Sequence, residues 1–279
     1  MARPAAIEPS PGPFGATRRT ALRLGREATE TVAVTVADEV PVALVYNGLS
    51  HAVMMASPIE LEAFALGFSL SEGLLQTPDE LLDLEVAPAS DGYEIRMRVT
   101  ARRFAGLQDR RRALTGRTGC GLCGVESLEE AVRSLPEVKD DFRVELASIR
   151  TALSALPAHQ ALNRAAGAVH AAAWADPTGK ILAVAEDVGR HNALDKLIGL
   201  LARDRPPGFL IMTSRCSYEL VAKAVTVGMP ILVAISAPTG LALDMAERAG
   251  LTVIALARHD AVTLYTHPER ITGFDEAKE

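Results

Sequence analysis

The chain has 279 residues, 48% of them hydrophobic and 23% charged, which suits a soluble globular protein of one large or two modest domains. A formal net charge of −6 argues against binding an extended polyanion, and 4% aromatic residues leave few platforms for stacking single-stranded bases. Three cysteines cannot build a disulfide framework, so reduced thiols and a cytoplasmic setting are expected; the longest apolar runs, such as 231–237, are too short to cross a membrane.

Residues 1–25 mix Pro, Gly, Ala and Arg and read as a loose tail; Arg18-Arg19 lacks the following apolar stretch of an export signal. Between residues 31 and 47, two apolar or alternating runs flank Asp38-Glu39 and predict two strands. Ser57-Pro-Ile-Glu60 has the capping-box pattern, with Pro58 at the first helical position, and predicts a helix to about Glu72, closed by Gly73. Thr77-Pro-Asp-Glu80 repeats that start signal for a short helix, and residues 93–99 alternate as a strand.

Next comes a basic stretch with eight arginines between Arg96 and Arg117 and Asp109 as the only acid. It leads into Thr118-Gly-Cys-Gly-Leu-Cys-Gly-Val-Glu126, which holds Cys120 and Cys123 among glycines 119, 121 and 124. Nearby cations lower a thiol pKa and raise the fraction of reactive thiolate. The same guanidinium groups suit phosphate. A CxxC pair also fits half of a zinc site or a thioredoxin-like redox pair. However, Cys216 is the only other cysteine, and the helix signal, Ser127-Leu-Glu-Glu130, comes after the CxxC. The cysteines are therefore placed on a glycine-rich loop suited to reaching a partner.

A break is expected between residues 134 and 156. The predicted division is a tail over 1–25, an α+β domain with the CxxC loop over 26–150, and an α/β cofactor- or nucleotide-binding domain over 151–279. In the last region, strands are predicted at 168–174, 180–185, 208–213, 230–236 and 251–257, with helices at 191–202, 218–227 and 241–249. This alternation predicts a largely parallel sheet covered by helices, with ligands beyond the carboxyl ends of its strands. Polar residues fall at those ends: Glu186 to Asn192, Ser214 to Ser217, Ser236 to Thr239 and Arg258 to Asp260. Any one of these is an ordinary turn or helix cap; four together suggest a polar pocket. There is no GxGxxG after a strand and no GxxxxGK[ST].

The CxxC segment, Glu186-Asp-Val-Gly-Arg-His-Asn-Ala-Leu-Asp-Lys196, Ser236-Ala-Pro-Thr and Tyr265-Thr-His-Pro-Glu-Arg270, in this order, resemble the FdhD family. Tyr46-Asn-Gly, Gly67-Phe68 and Ser71-Glu-Gly73 add to the likeness, which spans roughly residues 32–270. The resemblance implies a sulfurtransferase that takes sulfur from a cysteine desulfurase as a CxxC persulfide. The sulfur would pass to bis-molybdopterin guanine dinucleotide, the molybdenum cofactor that formate dehydrogenase receives. A cytidine-deaminase-like three-layer C-terminal domain is implied, with guanine nucleotide as a partial mimic of the cofactor. Carried over to this chain, Cys120 is the persulfide carrier, with Cys123 assisting or resolving. The cofactor-binding stretch falls on Leu256, Ala257, Arg258, His259, Asp260 and Ala261, with Arg258 the foremost contact.

No metal site, nucleic acid or membrane is expected as a partner, and a homodimer is compatible with the sequence. His170 lacks the Glu and the Pro-Cys-x-x-Cys of a zinc deaminase, so the implied fold does not carry that reaction here. Cys216 stands where the family pattern has a small residue and reads as a buried small hydrophobe. His191 is either a nucleotide contact or a residue of the first helical turn. The alternative function is a non-enzymatic chaperone of the cofactor whose CxxC is structural or binds zinc.

Overall fold

The computed structural model describes residues 15–26, 28–115, 135–258 and 261–274. The first two strands, β1 (Ala16–Leu24) and β2 (Thr29–Ala37), form an antiparallel ribbon. The loose tail expected over 1–25 is thus corrected at its C-terminal end, because residues 16–24 find backbone partners across the ribbon and Ala16 is buried.

A four-stranded sheet follows, built from β3 (Val40–Tyr46), β4 (Leu49–Ala56), β5 (Leu81–Ala89) and β6 (Gly92–Val99) in the order β4-β3-β6-β5. Asn47 and Gly48, both at positive φ, make the tight β3–β4 turn. Helix α1 (Leu61–Ser71) leaves this sheet, and α2 (Ala101–Thr115) follows β6. The Thr77-Pro-Asp-Glu80 signal makes only a single 3-10 turn, Pro78–Glu80, in which the Glu80 carboxylate accepts from the Gln76 backbone N–H at 2.7 Å and from Arg103 Nε at 2.8 Å.

After the short β7 (Val144–Glu145) come α3 (Leu146–His159) and α4 (Ala161–Ala166). The boundary placed between residues 150 and 151 therefore falls inside α3, since Pro136 and the charged run that suggested it lie before the helix rather than within it. The main sheet comprises β8 (His170–Ala175), β9 (Ile181–Asp187), β10 (Phe209–Met212), β11 (Ile231–Ala234), β12 (Thr252–Ala255) and β13 (Thr263–Thr266). Helices α5 (Arg190–Leu201), α6 (Tyr218–Thr226) and α7 (Gly240–Ala249) alternate with its later strands, and β14 (Ile271–Thr272) pairs with β7. The strand order is β13-β12-β11-β10-β8-β9; β10, β11 and β12 run parallel, and the flanking pairs are antiparallel.

Alternation along these strands produces the layers. Ala172, Trp174, Leu210, Met212, Leu232 and Val253 face the core shared with α5, α6 and α7. Ala173, Phe209, Ile211, Val233 and Ile254 face the other way, onto Ile149, Leu153 and Leu156 of α3. The result is an α/β fold of three layers with a smaller α+β part at the N-terminus.

The first of these cores continues into α1 and the inner face of the N-terminal sheet, through Phe64, Phe68, Leu44 and Ile95. Helices α1 and α5 touch backbone to backbone, because a methyl placed on Gly67 would collide with the Asp195 carbonyl and one on Gly199 with Ala63. Among the described residues, no helix is long and apolar enough to cross a membrane.

Candidate functional site

The strand registers bring the predicted polar ends to one edge of the main sheet. His170 at the start of β8 pairs with Asp187 at the end of β9, and Ala172 pairs with Met212 at the end of β10. Beyond Met212, the Ile235 N–H donates to the Met212 carbonyl, the Cys216 N–H to Ala237 and the Thr239 N–H to Cys216. Leu256 and Ala257 donate to Ser236 and Ala234. The loops after β10, β11 and β12 are thus stitched together by backbone hydrogen bonds, and the turns before α5, α6 and α7 open on the same edge.

This edge favours anions. Three helices of nine residues or more present their N-termini there, where unpaired N–H groups and the helix dipole attract negative charge. Thr239 caps α7 by accepting from the Ala242 N–H at 3.3 Å, whereas Gly189 at the start of α5 has no side chain to do so. Arg190 at the start of α5, and Arg215 and Arg258 in the loops after β10 and β12, add guanidinium groups. Among the described residues, Arg190 Nε and His191 Nε2 are buried without a hydrogen-bond partner. Burial, then the Arg190 charge beside it, pushes the His191 imidazole down to about 4, although Glu219 lies 3.9 Å away. His170 is held low by the same two causes. His191 is therefore a neutral ring at ordinary pH, and the positive field comes from the arginines and helix ends. The unpartnered Arg190 Nε–H, the other guanidinium groups and the helix N-termini suit phosphate groups.

The neighbouring carboxylates have structural work instead. Glu186 accepts from the Leu162 and Asn163 N–H groups, both at 2.8 Å, and so closes the start of α4. Asp187 is fully buried with Lys196 Nζ at 2.7 Å, and it also accepts from the Gly189 N–H, Asn192 Nδ2 and the Ser57 N–H. Lys196 in turn donates to the carbonyls of Ser57 and Glu186. Burial pulls the ammonium down against the opposing pull of Asp187. Satisfied on every side, this pair holds the β9–α5 turn against the end of β4 and is not free for acid–base chemistry.

Ser57 is where the sequence expectation fails. It caps no helix: its hydroxyl accepts from the Val188 N–H at 3.2 Å, and α1 starts at Leu61, after Glu60 in a left-handed conformation. Ser57 was not among the expected site residues, since its partners Asp187 and Val188 lie 130 and 131 residues away in sequence. Asp195-Lys196 did carry a signal, being a charged pair set between Leu194 and Leu197 on an apolar helix face.

Within the expected cofactor stretch, Leu256 is at φ 51° and exposed, Ala257 is buried, and Arg258 is exposed, with its N–H donating to the Ala261 carbonyl at 2.9 Å. His259 and Asp260 lie outside the described residues, as do Cys120 and Cys123. Cys216 is buried, and desolvation pushes its thiol up to about 12, so it stays protonated and unreactive. Among the described residues, no group of three His, Cys, Asp or Glu side chains could hold a metal ion.

The sequence pattern of the FdhD/NarQ family matches residues 37–272. The chain belongs to the FdhD/NarQ family. It is 46% identical over 253 residues to the sulfur carrier protein FdhD of Bordetella petrii, covering 90% of this chain and 91% of that protein. The sulfur carrier protein FdhD of Xanthomonas euvesicatoria pv. vesicatoria is 48% identical over 260 residues, 92% of each chain. Among solved structures, a protein from Desulfotalea psychrophila described as a formate dehydrogenase accessory protein superposes with a TM-score of 0.75 at 24% identity, covering 93% of this chain and all of that one. That likeness establishes the FdhD-type fold. The family match starts at residue 37, so it takes in both sheets and the strand-end edge but leaves out all of β1 and all but the last residue of β2.

Proposed function

We propose that this chain is a sulfur carrier that accepts sulfur as a persulfide on Cys120 and delivers it to bis-molybdopterin guanine dinucleotide, in support of formate dehydrogenase. The observation that carries the reading is identity of 46–48% with proteins named sulfur carrier protein FdhD over at least nine-tenths of the chain. The CxxC of Cys120 and Cys123 supports it from the sequence, and the basic edge supports a nucleotide-bearing substrate. The bis-molybdopterin guanine dinucleotide is treated as the substrate. Its phosphates suit Arg190, Arg215 and Arg258, with guanine nucleotide as a partial mimic.

The sulfur steps balance without a metal. The Cys120 thiolate attacks the outer sulfur of a donor persulfide on a cysteine desulfurase. The donor S–S bond breaks, the donor leaves as a thiolate, and Cys120–S–SH forms with no net redox change. For release, the Cys123 thiolate attacks Cys120 Sγ. A Cys120–Cys123 disulfide forms, hydrosulfide leaves for the substrate, and the two electrons come from the thiol pair. An external dithiol then reduces the disulfide. Thiol chemistry of this kind suits a cytoplasmic protein.

The test is intact mass spectrometry of the full chain after incubation with a cysteine desulfurase and cysteine, with and without reductant. A reductant-sensitive gain of one sulfur atom, lost in Cys120→Ala while the circular dichroism spectrum is kept, is expected. No gain, with zinc found by metal analysis, would overturn the carrier and leave a cofactor-binding chaperone with a zinc-bound CxxC.

A further inference from the structure

Tyr46-Asn-Gly and Tyr265-Thr-His-Pro-Glu-Arg270 hold neither a reactive cysteine nor an arginine of the strand-end edge. Each sits instead at a root of the chain that leads to and from Cys120 and Cys123. On the outgoing side, Asn47 clamps the last residue of β6 at two points: its Oδ1 accepts from the Val99 N–H at 2.8 Å, and its Nδ2 donates to the Val99 carbonyl at 3.2 Å. The Asn47 N–H donates to Met97, so its side chain prolongs the β3–β6 ladder past the point where β3 turns into β4. One residue further, the Thr100 N–H donates to the Glu80 carbonyl. Arg103, in the first turn of α2, pairs with the Glu80 carboxylate at 2.8 Å, both side chains largely buried. The base of α2 is thus braced from two sides, by the β3–β4 turn and by the 3-10 turn before β5.

On the returning side, Val138 is buried and its N–H donates to the Ala249 carbonyl at the end of α7. Arg270 spans this junction, with Nε donating to the Asp140 carbonyl at 3.1 Å and Nη1 to the Gly250 carbonyl at 2.8 Å. The point of return is therefore fixed, and the direction of α2 decides where the outgoing chain leads. α2 has 15 residues, about 22 Å along its axis. A tilt of about 20° at its base would carry its far end about 8 Å sideways. Cys120 follows Thr115 by five residues and so lies within about 18 Å of that end.

We propose that Asn47 and Arg103 are positioning residues for sulfur transfer: by bracing the base of α2 they aim Cys120 at the donor protein. The proposal rests on the reading of Cys120 as the sulfur acceptor. A tethered group meets its partner at a rate set by the length and direction of its tether, so the braces act on the encounter. The thiol itself they leave alone, since Asn47 is spent on Val99 and Arg103 on Glu80.

The test uses the full chain with a cysteine desulfurase and cysteine, following persulfide loading by mass spectrometry over a range of chain concentrations. Asn47→Gly keeps the positive φ that the turn requires and removes only the clamp. Arg103→Ala removes the second brace, and Arg103→Lys keeps a cation within reach of Glu80. In Asn47→Gly and in Arg103→Ala, kcat/KM for loading is expected to fall by about threefold or more, through KM, with Arg103→Lys recovering part of the loss. Alkylation of Cys120 by iodoacetamide, which needs no docked partner, should keep its wild-type rate, and the circular dichroism spectrum should not change. Wild-type loading in both variants overturns the proposal. Alkylation that slows in step with loading also overturns it, because the effect would then lie in the thiol and not in its placement. A wild type that gains no sulfur at all would overturn the carrier reading itself, and this proposal with it.

Discussion

His191 faces a crowded set of charges in the first turn of α5: Arg190 beside it, Glu219 at 3.9 Å, and Lys223 and Glu72 from neighbouring helices. Its pKa of about 4 in the folded chain lies below the ordinary 6.5, mainly because burial disfavours the charged ring. The unfolded chain therefore takes up a proton between these two values, and the folded chain does not. Stability from this residue is complete above pH 6.5 and is lost as the pH falls toward 4. With the ring partly open to water, the loss is discounted to about 1–2 kcal/mol. His191→Gln cannot titrate, so its urea-unfolding stability should fall less than that of the wild type between pH 7 and pH 4.5. Equal losses in the two proteins would assign the acid sensitivity to other groups.

The α1–α5 contact depends on two glycines, and it fixes how the N-terminal sheet sits on the main one. A side chain at Gly67 has no space, since Asp195 backbone atoms occupy the position of its Cβ. Overpacking a close contact costs about 1–3 kcal/mol. The expected outcome for Gly67→Ala is a loss of that size in urea unfolding, with the Lys223–Asp195 ion pair at 2.9 Å strained alongside. Gly240→Ala is the control: Gly240 sits in the first turn of α7 with open space around it, so it should be neutral or stabilising by up to about 1 kcal/mol.

At this scale, local signals made elements legible and long-range partners decided the rest. The later strands and helices were readable because short apolar runs end in polar turns and caps. β4 escaped because Val53 and Met55 point outward on an edge strand and blur the alternation, although Asn47-Gly48 is a hairpin signal. β5 hides behind Pro88 and its acidic residues, and α2 behind arginines, with Leu107 buried on its inner face. The Ser57 cap failed because Asp187, 130 residues on, takes its N–H.

For the whole molecule, the placement of charge matters more than its sum. A chain of net charge −6 should repel a phosphorylated ligand on average, yet one sheet edge gathers Arg190, Arg215, Arg258 and three helix N-termini. This edge was readable in the sequence as a set of polar strand ends, because a parallel sheet centre forces successive strand ends together. Which side chains turn outward and which are locked in buried pairs was not, since Glu186 and Asp187 look as available as Arg190 until their distant partners are known. If the edge holds the guanine nucleotide end of the substrate, Arg215→Ala or Arg258→Ala removes a charge-assisted hydrogen bond to phosphate, worth about 1.5–3 kcal/mol. Guanosine diphosphate binding, measured by titration calorimetry, should then weaken by about tenfold or more, with a shallower salt dependence. Arg203, just past the opposite end of the 12-residue α5, changes net charge by the same amount from roughly 18 Å along the axis. Arg203→Ala should leave binding unchanged. Equal weakening in all three variants would mean that the ligand senses only total charge, and the strand-end edge would lose its claim to the site.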